Sequence, residues 1–371
     1  MAMFKTVFEM RRALVDAGLQ ALANDIAATA RPAIIFTRRQ ADDDVLPVGT
    51  GKAGGLPDLP QGFPWPTRAP LADADEYIEA LRTRRAEERE RAASYDHEAG
   101  YNAILAVLSG KERDDFIRSI EASRPDPQRL ADMQAEQDRY DDLMAASFGR
   151  EFPLAFLAQF NLQALSVEAG FDLDLPEHGM LSLFEDITSD YTDGAIHVFW
   201  FPDDIASLKR QSPPAELVAL SDAGRPDIPW AELTKAEVME PHSVLTVPFH
   251  WAAATGHRPD VYGFLHQPST GYYPQTEEPA DDQAGFFGDR LGGWPEPIQS
   301  DPETEIQGLT GSLVPGDDRI RHLVSLGGEY YAGTRRMHEP FGGDGTTYLM
   351  IPRDLLLEKR LDEARALYQC D

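Results

Sequence analysis

The chain has 371 residues, 42% of them hydrophobic and 9% aromatic, and its formal charge is −29. That apolar content supports a large buried core, and the charge excludes nucleic acid as a partner, because phosphate binding needs Lys and Arg gathered on one face. The one cysteine, Cys370, excludes a disulfide framework and a multi-thiolate metal site.

The first segment, MAMFKTVFEMRRALVDAGLQALAND, carries charges among its apolar positions and does not read as a signal peptide. No window approaches the roughly 18 apolar residues that span a bilayer. A soluble, cytoplasmic protein is expected, with no membrane partner. From Phe4 to Ala30 apolar residues recur at steps of three and four, which predicts helix with an interruption at Gly18. RPAIIFTRR, Arg31 to Arg39, then reads as a first strand. It leads into GKAGGLPDLPQGFPWP, Gly51 to Pro66, with four prolines and four glycines in sixteen residues.

Between Leu71 and Arg150 prolines nearly vanish and Ala, Glu, Arg and Asp dominate, so three or four helices are expected, inserted as a subdomain. This window holds 12 basic against 19 acidic residues, a net of −7, which leaves −22 for the rest of the chain. Beyond it, short apolar runs bounded by Gly, Pro and Asp predict strands: Phe152 to Leu165, Gly179 to Asp186, Ala195 to Pro202, Ser243 to Phe249, His322 to Gly328 and Thr346 to Pro352. RDLLLEKRLDEARALYQ reads as a closing amphipathic helix. The predicted class is α+β with antiparallel sheets. The expected divisions are 1–70, the helical subdomain 71–150, 151–250 for the remainder of a first half, and 251–371 for a second half.

Two halves are expected because the sequence repeats itself. GGLPDLP at Gly54 has a counterpart in GGWPEPIQ at Gly292, FLAQF at Phe156 in HLVSL at His322, and GMLSLF at Gly179 in GTTYLMI at Gly345. The last two elements are 23 residues apart in both copies. The repeat makes Gly54, Gly55, Pro57, Pro60, Pro66, Gly179, Gly292, Gly293 and Pro295 structural motif positions.

Five motifs in order, GGLPDLP with Trp65-Pro66, PLAFLAQFNL, LPEHGMLSLFED, GGWPEPIQSDP and GDGTTYLMIPRDLL, resemble the YwqG-like family, a bacterial domain family without an assigned function. The resemblance covers most of residues 50 to 365 outside the helical window, and it implies an α+β fold of two similar halves. It implies no catalytic residue. Family members place a His shortly before the second double glycine, a Gln in the strand matching HLVSL, and a Trp before the last Asp-Gly. Here FFGDRLGGWP, Ser325 and EPFGGDG stand at those places.

Chemical motifs are few. GTGKAGG does not make a phosphate loop, since Leu46 and Ala53 occupy positions that need Gly and Ser or Thr. The prolines from Pro57 to Pro66 are interleaved with Leu56, Leu59, Phe63 and Trp65, which favours packing onto the chain's own core over a polyproline ligand. No two histidines lie within five positions of each other and no His-Glu-x-x-His helix occurs, so neither metal nor cofactor is expected. FDLDLPEHG and EDITSDYTDG, which gather acids at Asp172, Asp174, Glu177, Glu185 and Asp186, lack the ligand order of a calcium loop and read as solvated acidic turns. Without a Gly-x-Ser-x-Gly elbow, nucleophilic hydrolysis has no marker, and no catalytic residue is assigned.

Gln159 and Gln299 each follow a double-glycine element and sit beside apolar residues, so each amide is expected to hold a loop to a strand. The functional picture is a non-catalytic cytosolic binding protein that recognises a basic protein partner, as neutralising, immunity-type proteins do. The alternative is an enzyme or small-molecule binder whose cleft lies between the two halves, near Trp65, Gln159, Trp294 and Gln299.

Overall fold

The computed structural model describes residues 3–94, 104–123, 127–188, 195–223, 235–265, 285–307, 314–327 and 345–370. It forms two compact units, one of residues 1–66, 153–217 and 226–371, the other of residues 67–152 and 218–225.

In the larger unit, β1 (Met3–Phe4) leads into a helix over Val7–Asp16, whose N-cap Thr6 accepts the Glu9 N–H, and a shorter helix over Ala23–Ala28. The two helices are separated at Gly18, where φ is +75°. Met10, Leu14, Leu19 and Ile26 bury their side chains against Val261, Phe264 and Leu265. β2 (Arg31–Asp42) is the long strand that follows. The strands in order are then β3 (Lys52–Gly54), β4 (Asp58–Pro60), β5 (Thr67–Arg68), β6 (Phe152–Pro153), β7 (Ala155–Asn161), β8 (Met180–Glu185), β9 (Ile196–Phe201), β10 (Leu208–Arg210), β11 (Lys235–Thr246), β12 (Gly285–Gly292), β13 (Ile320–Gly327), β14 (Gly345–Pro352) and β15 (Arg365–Cys370).

Ten of these form one antiparallel path, β15-β14-β13-β12-β2-β11-β3-β7-β8-β9, and β1 adds to β11 as an eleventh strand. The predicted α+β class is what the chain adopts, with most of its strands in one large antiparallel sheet. β2 and β11 pair along their full length, from Arg31 opposite Thr246 to Asp42 opposite Lys235. Outward from this pair the registers on the two sides match. Lys52, Ala53 and Gly54 of β3 face Val238, Glu237 and Ala236; Arg290, Leu291 and Gly292 of β12 face Ile35, Ile34 and Ala33. One strand further out, Lys52 pairs with Gln159 and Arg290 with Ser325. β7 is bulged between Phe156 and Ala158, and β13 between His322 and Val324.

The double glycines close both inner edges in the same way. Gly54, Gly55, Gly292 and Gly293 all have φ between +68° and +72°, a region that L side chains rarely enter. A Cβ on Gly55 would lie 2.5 Å from Asp43 Oδ1, and one on Gly293 would lie 2.6 Å from Ala33 Cβ and 2.7 Å from Thr246 Oγ1. The next residue donates its N–H to the same neighbour in each case, Leu56 to Asp43 (3.1 Å) and Trp294 to Thr246 (2.9 Å).

The expected closing helix is shorter than the sequence pattern indicates. Only Arg353–Leu357 is helical; Lys359 has φ +62° and ends it, a 3₁₀ turn covers Leu361–Glu363, and Arg365–Cys370 pairs along β14. Lys359 Nζ donates to the Asp174 carbonyl (2.7 Å), which helps hold this break. The strand pairing then satisfies the backbone groups that a continued helix would have bonded internally.

The acids read as solvated turns are also different. Arg321 donates to both Asp172 and Asp174, and Arg353 Nε lies 3.2 Å from Asp174. Asp172, Glu185 and Asp186 are buried. Residues 189–194 of that run lie outside the described residues. Several other acids are also paired inside the fold. Asp289 takes a bidentate pair from buried Arg38, which also meets Glu237 at 3.0 Å. Lys52 is buried against Asp43, and Asp58 accepts from Gly49 N–H (2.8 Å), Gln159 (2.8 Å) and Arg210 (3.0 Å).

In the smaller unit, helices run over Ala74–Ser94, Gly110–Ser123 and Pro127–Phe148. Arg85 pairs with Asp138 (2.9 Å) and Asp141, tying the first helix to the third. Arg68 donates to the carbonyls of Ser147 (3.1 Å) and Arg150 (3.0 Å) at the end of the third helix. Among the described residues no helix is long and apolar enough to cross a membrane.

Candidate functional site

The strongest chemical site in the described residues is assembled from two segments fifty positions apart. β11 ends at Thr246, and after Val247-Pro248-Phe249 a short helix starts at His250 (His250–Ala254). The other segment, Ser300-Asp301-Pro302-Glu303, starts the helix Pro302–Gln307. Asp301 caps that helix: its Oδ1 accepts the Glu303 N–H (3.1 Å), and Pro at the first helical position suits the fixed φ there. The second carboxylate oxygen is thereby left to face His250, with Oδ2 2.5 Å from Nε2. Glu303 Oε2 lies 3.3 Å from the same nitrogen.

His250 and Glu303 are buried, with side-chain exposures of 2% and 3%, while Asp301 reaches the surface at 24%. Burial works against an imidazolium, but the hydrogen bonds to Asp301 and Glu303 outweigh it and push the His250 pKa up to about 9. Burial raises Glu303, with Asp301 adding to the rise and His250 opposing it. Asp301 is held below its ordinary value by its hydrogen bonds, against its own burial. The hydrogen bonding is incomplete: His250 Nδ1, Glu303 Oε1 and Thr304 Oγ1 are buried without a partner.

A cavity of about 540 Å³ opens beside the cluster, lined by Phe249, Ala252, Ala253 and His257 on one side and by Ser300, Asp301, Thr304 and Glu305 on the other. The loop carrying Asp301 is fixed from β15. Gln369, fully buried, accepts the N–H groups of Ile298 (3.0 Å) and Gln299 (3.2 Å) and donates to the Ser300 carbonyl (2.9 Å) and to Glu305 (2.9 Å). His250 is held edge-on to Trp294, with centroids 5.5 Å apart and planes at 80°. Trp294 in turn donates Nε1–H to the Thr29 carbonyl (2.8 Å) and carries the Arg31 guanidinium 3.4 Å from its ring centre.

The residues nominated from the sequence fall in different places. Trp294 packs behind the cluster. Gln299 is exposed and enters through its backbone N–H alone; the amide that pins this loop is Gln369. Gln159 is buried and bridges β7 to the first glycine element, accepting the Asp58 N–H (2.9 Å) and donating to the Thr50 carbonyl (2.8 Å). Trp65 donates to the Leu154 carbonyl (2.8 Å) and packs on Phe184 in a separate cluster with Leu59. The proline positions also serve the scaffold: Pro57 and Pro295 are buried, Pro60 lies in β4, and the Pro66 carbonyl accepts the Leu154 N–H (2.9 Å). A Cβ at Gly179 would lie 2.2 Å from the Phe201 carbonyl.

Neither His250 nor Glu303 was singled out in the sequence, because spacing rules look for ligands along one helix or turn. The legible part was the helix start Asp301-Pro302-Glu303, a strong capping signature.

Two other arrangements have less to offer. Ser325 Oγ lies 2.6 Å from His322 Nε2, and His322 Nδ1 lies 2.9 Å from the Gly292 carbonyl, which resembles a nucleophile and base. Both side chains are almost wholly buried within β13, and burial, with Arg290 adding, pushes His322 down to about 3, so the ring is neutral and structural. A second cavity, of about 440 Å³, is lined by Ile196–Phe199 of β9 and by Asp362–Arg365, where the two ends of the sheet approach.

The chain is thus an α+β protein with a large antiparallel sheet and, among its described residues, a cavity beside a buried His and two carboxylates. The chain belongs to the family described as a domain of unknown function, DUF1963, whose model matches residues 51–370. No curated protein matches the sequence.

Proposed function

We propose that this is a binding protein that holds a small ligand in the cavity beside His250. The observation that carries this reading is the pairing of an apolar floor, Phe249, Ala252 and Ala253, with a polar wall, His250, Asp301 and Thr304, in a space of ligand size. The buried, unpartnered Thr304 Oγ1 is a group such a ligand would satisfy. Ala253 lines the cavity but is not one of the clustered residues, so Ala253→Trp should obstruct the cavity and leave His250, Asp301 and Glu303 in place. Screening a compound library by thermal shift should find ligands that stabilise the wild type and not Ala253→Trp; ligands that stabilise both equally would refute the assignment.

The net charge of −29 supports a second reading, recognition of a basic protein in a reducing, cytoplasmic compartment. Pull-down at low salt followed by salt titration tests it, and recovery of no partner removes it.

We further infer that the sheet arose by duplication, β3, β7 and β8 answering to β12, β13 and β14. The paired registers, the matched bulges and the two double glycines support this. On this reading the helices between residues 71 and 150 are an insertion into the first copy, and YwqG-like and DUF1963 describe one family.

A further inference from the structure

We propose that His250, Asp301 and Glu303 form a binding site for one divalent transition-metal ion at the wall of the cavity. This deepens the ligand-binding reading and rests on the same site.

One candidate ligand atom from each of the three residues lies within 4.8 Å of the others; the direct His250–Asp301 contact of 2.5 Å must open to about 3 Å for an ion to bond both at the 2.0–2.2 Å such ions make. The donor set is one imidazole nitrogen and two carboxylates. Imidazole favours transition ions such as Zn²⁺ over the harder Mg²⁺ and Ca²⁺, which prefer all-oxygen shells, and the two carboxylates also suit Mn²⁺.

A second observation is independent of this clustering. Glu303 is 3% exposed and its Oε1 has no hydrogen-bond partner, an arrangement that costs free energy when the carboxylate is left alone. An ion at the cluster would satisfy it. The supports of a metal centre are also present. Asp301 is fixed by its capping hydrogen bond, the loop before it is pinned by Gln369, and His250 is oriented by the Trp294 face. Three protein ligands leave open positions, and the cavity beside His250 and Asp301 is where water or a ligand donor would complete the shell.

The test is calorimetric titration of the full chain with Zn²⁺ and Mn²⁺ at about pH 7, where the ion must displace the proton that His250 holds, so binding should release a proton. One ion per chain is expected, with Mg²⁺ failing to compete. His250→Ala and Glu303→Gln should each weaken binding by at least about 100-fold, while His257→Ala should not change it. Should His250→Ala fail to fold, Co²⁺-loaded wild type keeps the question open to refutation, since the His250 ring protons must then show paramagnetic shifts. Absence of stoichiometric binding, undiminished affinity in His250→Ala, or shifts confined to other histidines would overturn the site. Ala253→Trp separates the two proposals: it should lose the cavity ligand and keep the metal.

Discussion

The two double glycines make a quantitative prediction about what the matched elements of the sheet do. An alanine at Gly55 would have to hold φ near +68°, which costs an L residue about 1–2 kcal/mol. Its Cβ would also stand 2.5 Å from Asp43 Oδ1 and 3.1 Å from Ala236 Cβ. Asp43 has little freedom to retreat, because it holds buried Lys52 and accepts the Leu56 N–H. Overpacking of this kind adds about 1–3 kcal/mol, more if the Lys52 pair is broken, so Gly55→Ala should cost about 3–5 kcal/mol. At Gly293 the obstacles are Ala33 Cβ, which only a backbone shift can move, and Thr246 Oγ1; about 2–4 kcal/mol is expected. The obstructing residues are different in the two cases, so the losses should add, and the double variant should lose most of a stability of about 5–15 kcal/mol. Gly62 is the control: φ is +82° but nothing lies within 4 Å of its Cβ position, so Gly62→Ala isolates the torsional cost of about 1–2 kcal/mol. Urea unfolding followed by tryptophan fluorescence measures all four. If Gly55→Ala or Gly293→Ala costs no more than Gly62→Ala, the close approaches are not limiting and the argument fails.

Three further outcomes follow from buried polar groups. Burial, with Asp186 adding, pushes Glu185 up to about 8, so its folded-state pKa lies above the unfolded value near 4.5; stability is whole below about pH 4.5 and is lost as pH rises through about 8. Glu185→Gln should therefore raise stability by about 2–4 kcal/mol at pH 9 and little at pH 4.5, and an equal effect at both would refute the cause. Ser325→Ala leaves His322 Nε2 without its donor and should cost about 1–3 kcal/mol by urea unfolding at pH 7; a loss under about 0.5 kcal/mol would show the 2.6 Å contact to be inconsequential. Gln159→Ala should cost about 2–4 kcal/mol by orphaning the Asp58 N–H and the Thr50 carbonyl, whereas Gln299→Ala should stay within about 0.5 kcal/mol, a contrast that stability measurements on the pair decide.

How far the sequence disclosed this protein depends on the range of the interactions involved. Runs such as IIF in β2 and LSLF in β8 are apolar and β-prone enough to announce strands locally, and the Ala- and Glu-rich segments from Ala74 to Phe148 announce helices. The segment after Leu357 deceives because Glu, Lys, Arg, Ala and Leu favour helix in isolation, while an available edge on β14 and the reversal at Lys359 settle the outcome. The acid runs deceive for a related reason. Asp172 and Asp174 look solvated until Arg321, about 150 positions away, is folded against them. The cluster at His250 was hidden by the same separation, since its two segments meet only when β11 and the loop ahead of Asp301 are both in place.

The buried charges of this protein are balanced to different degrees. Arg38 faces Asp289 and Glu237, while Lys52 and Arg210 together face Asp43 and Asp58; every one of these carboxylates has a guanidinium, an ammonium or a backbone N–H against it. Such networks fix the register of the sheet, and removing one partner strands a charge. Glu185 and Glu303 are different, each buried with an oxygen that no donor meets. A carboxylate in that position is relieved by a proton or by a cation. Glu185 has Asp186 as its electrostatic neighbour and belongs to no gathering of three metal ligands among the described residues, so a proton is its resolution and its signature is dependence on pH. Glu303 has an imidazole and a second carboxylate within ligand distance and a cavity alongside, so a metal ion can relieve it. The two sites should separate experimentally: added Zn²⁺ should raise the melting temperature of Glu185→Gln as much as that of the wild type, and should leave that of Glu303→Gln unmoved.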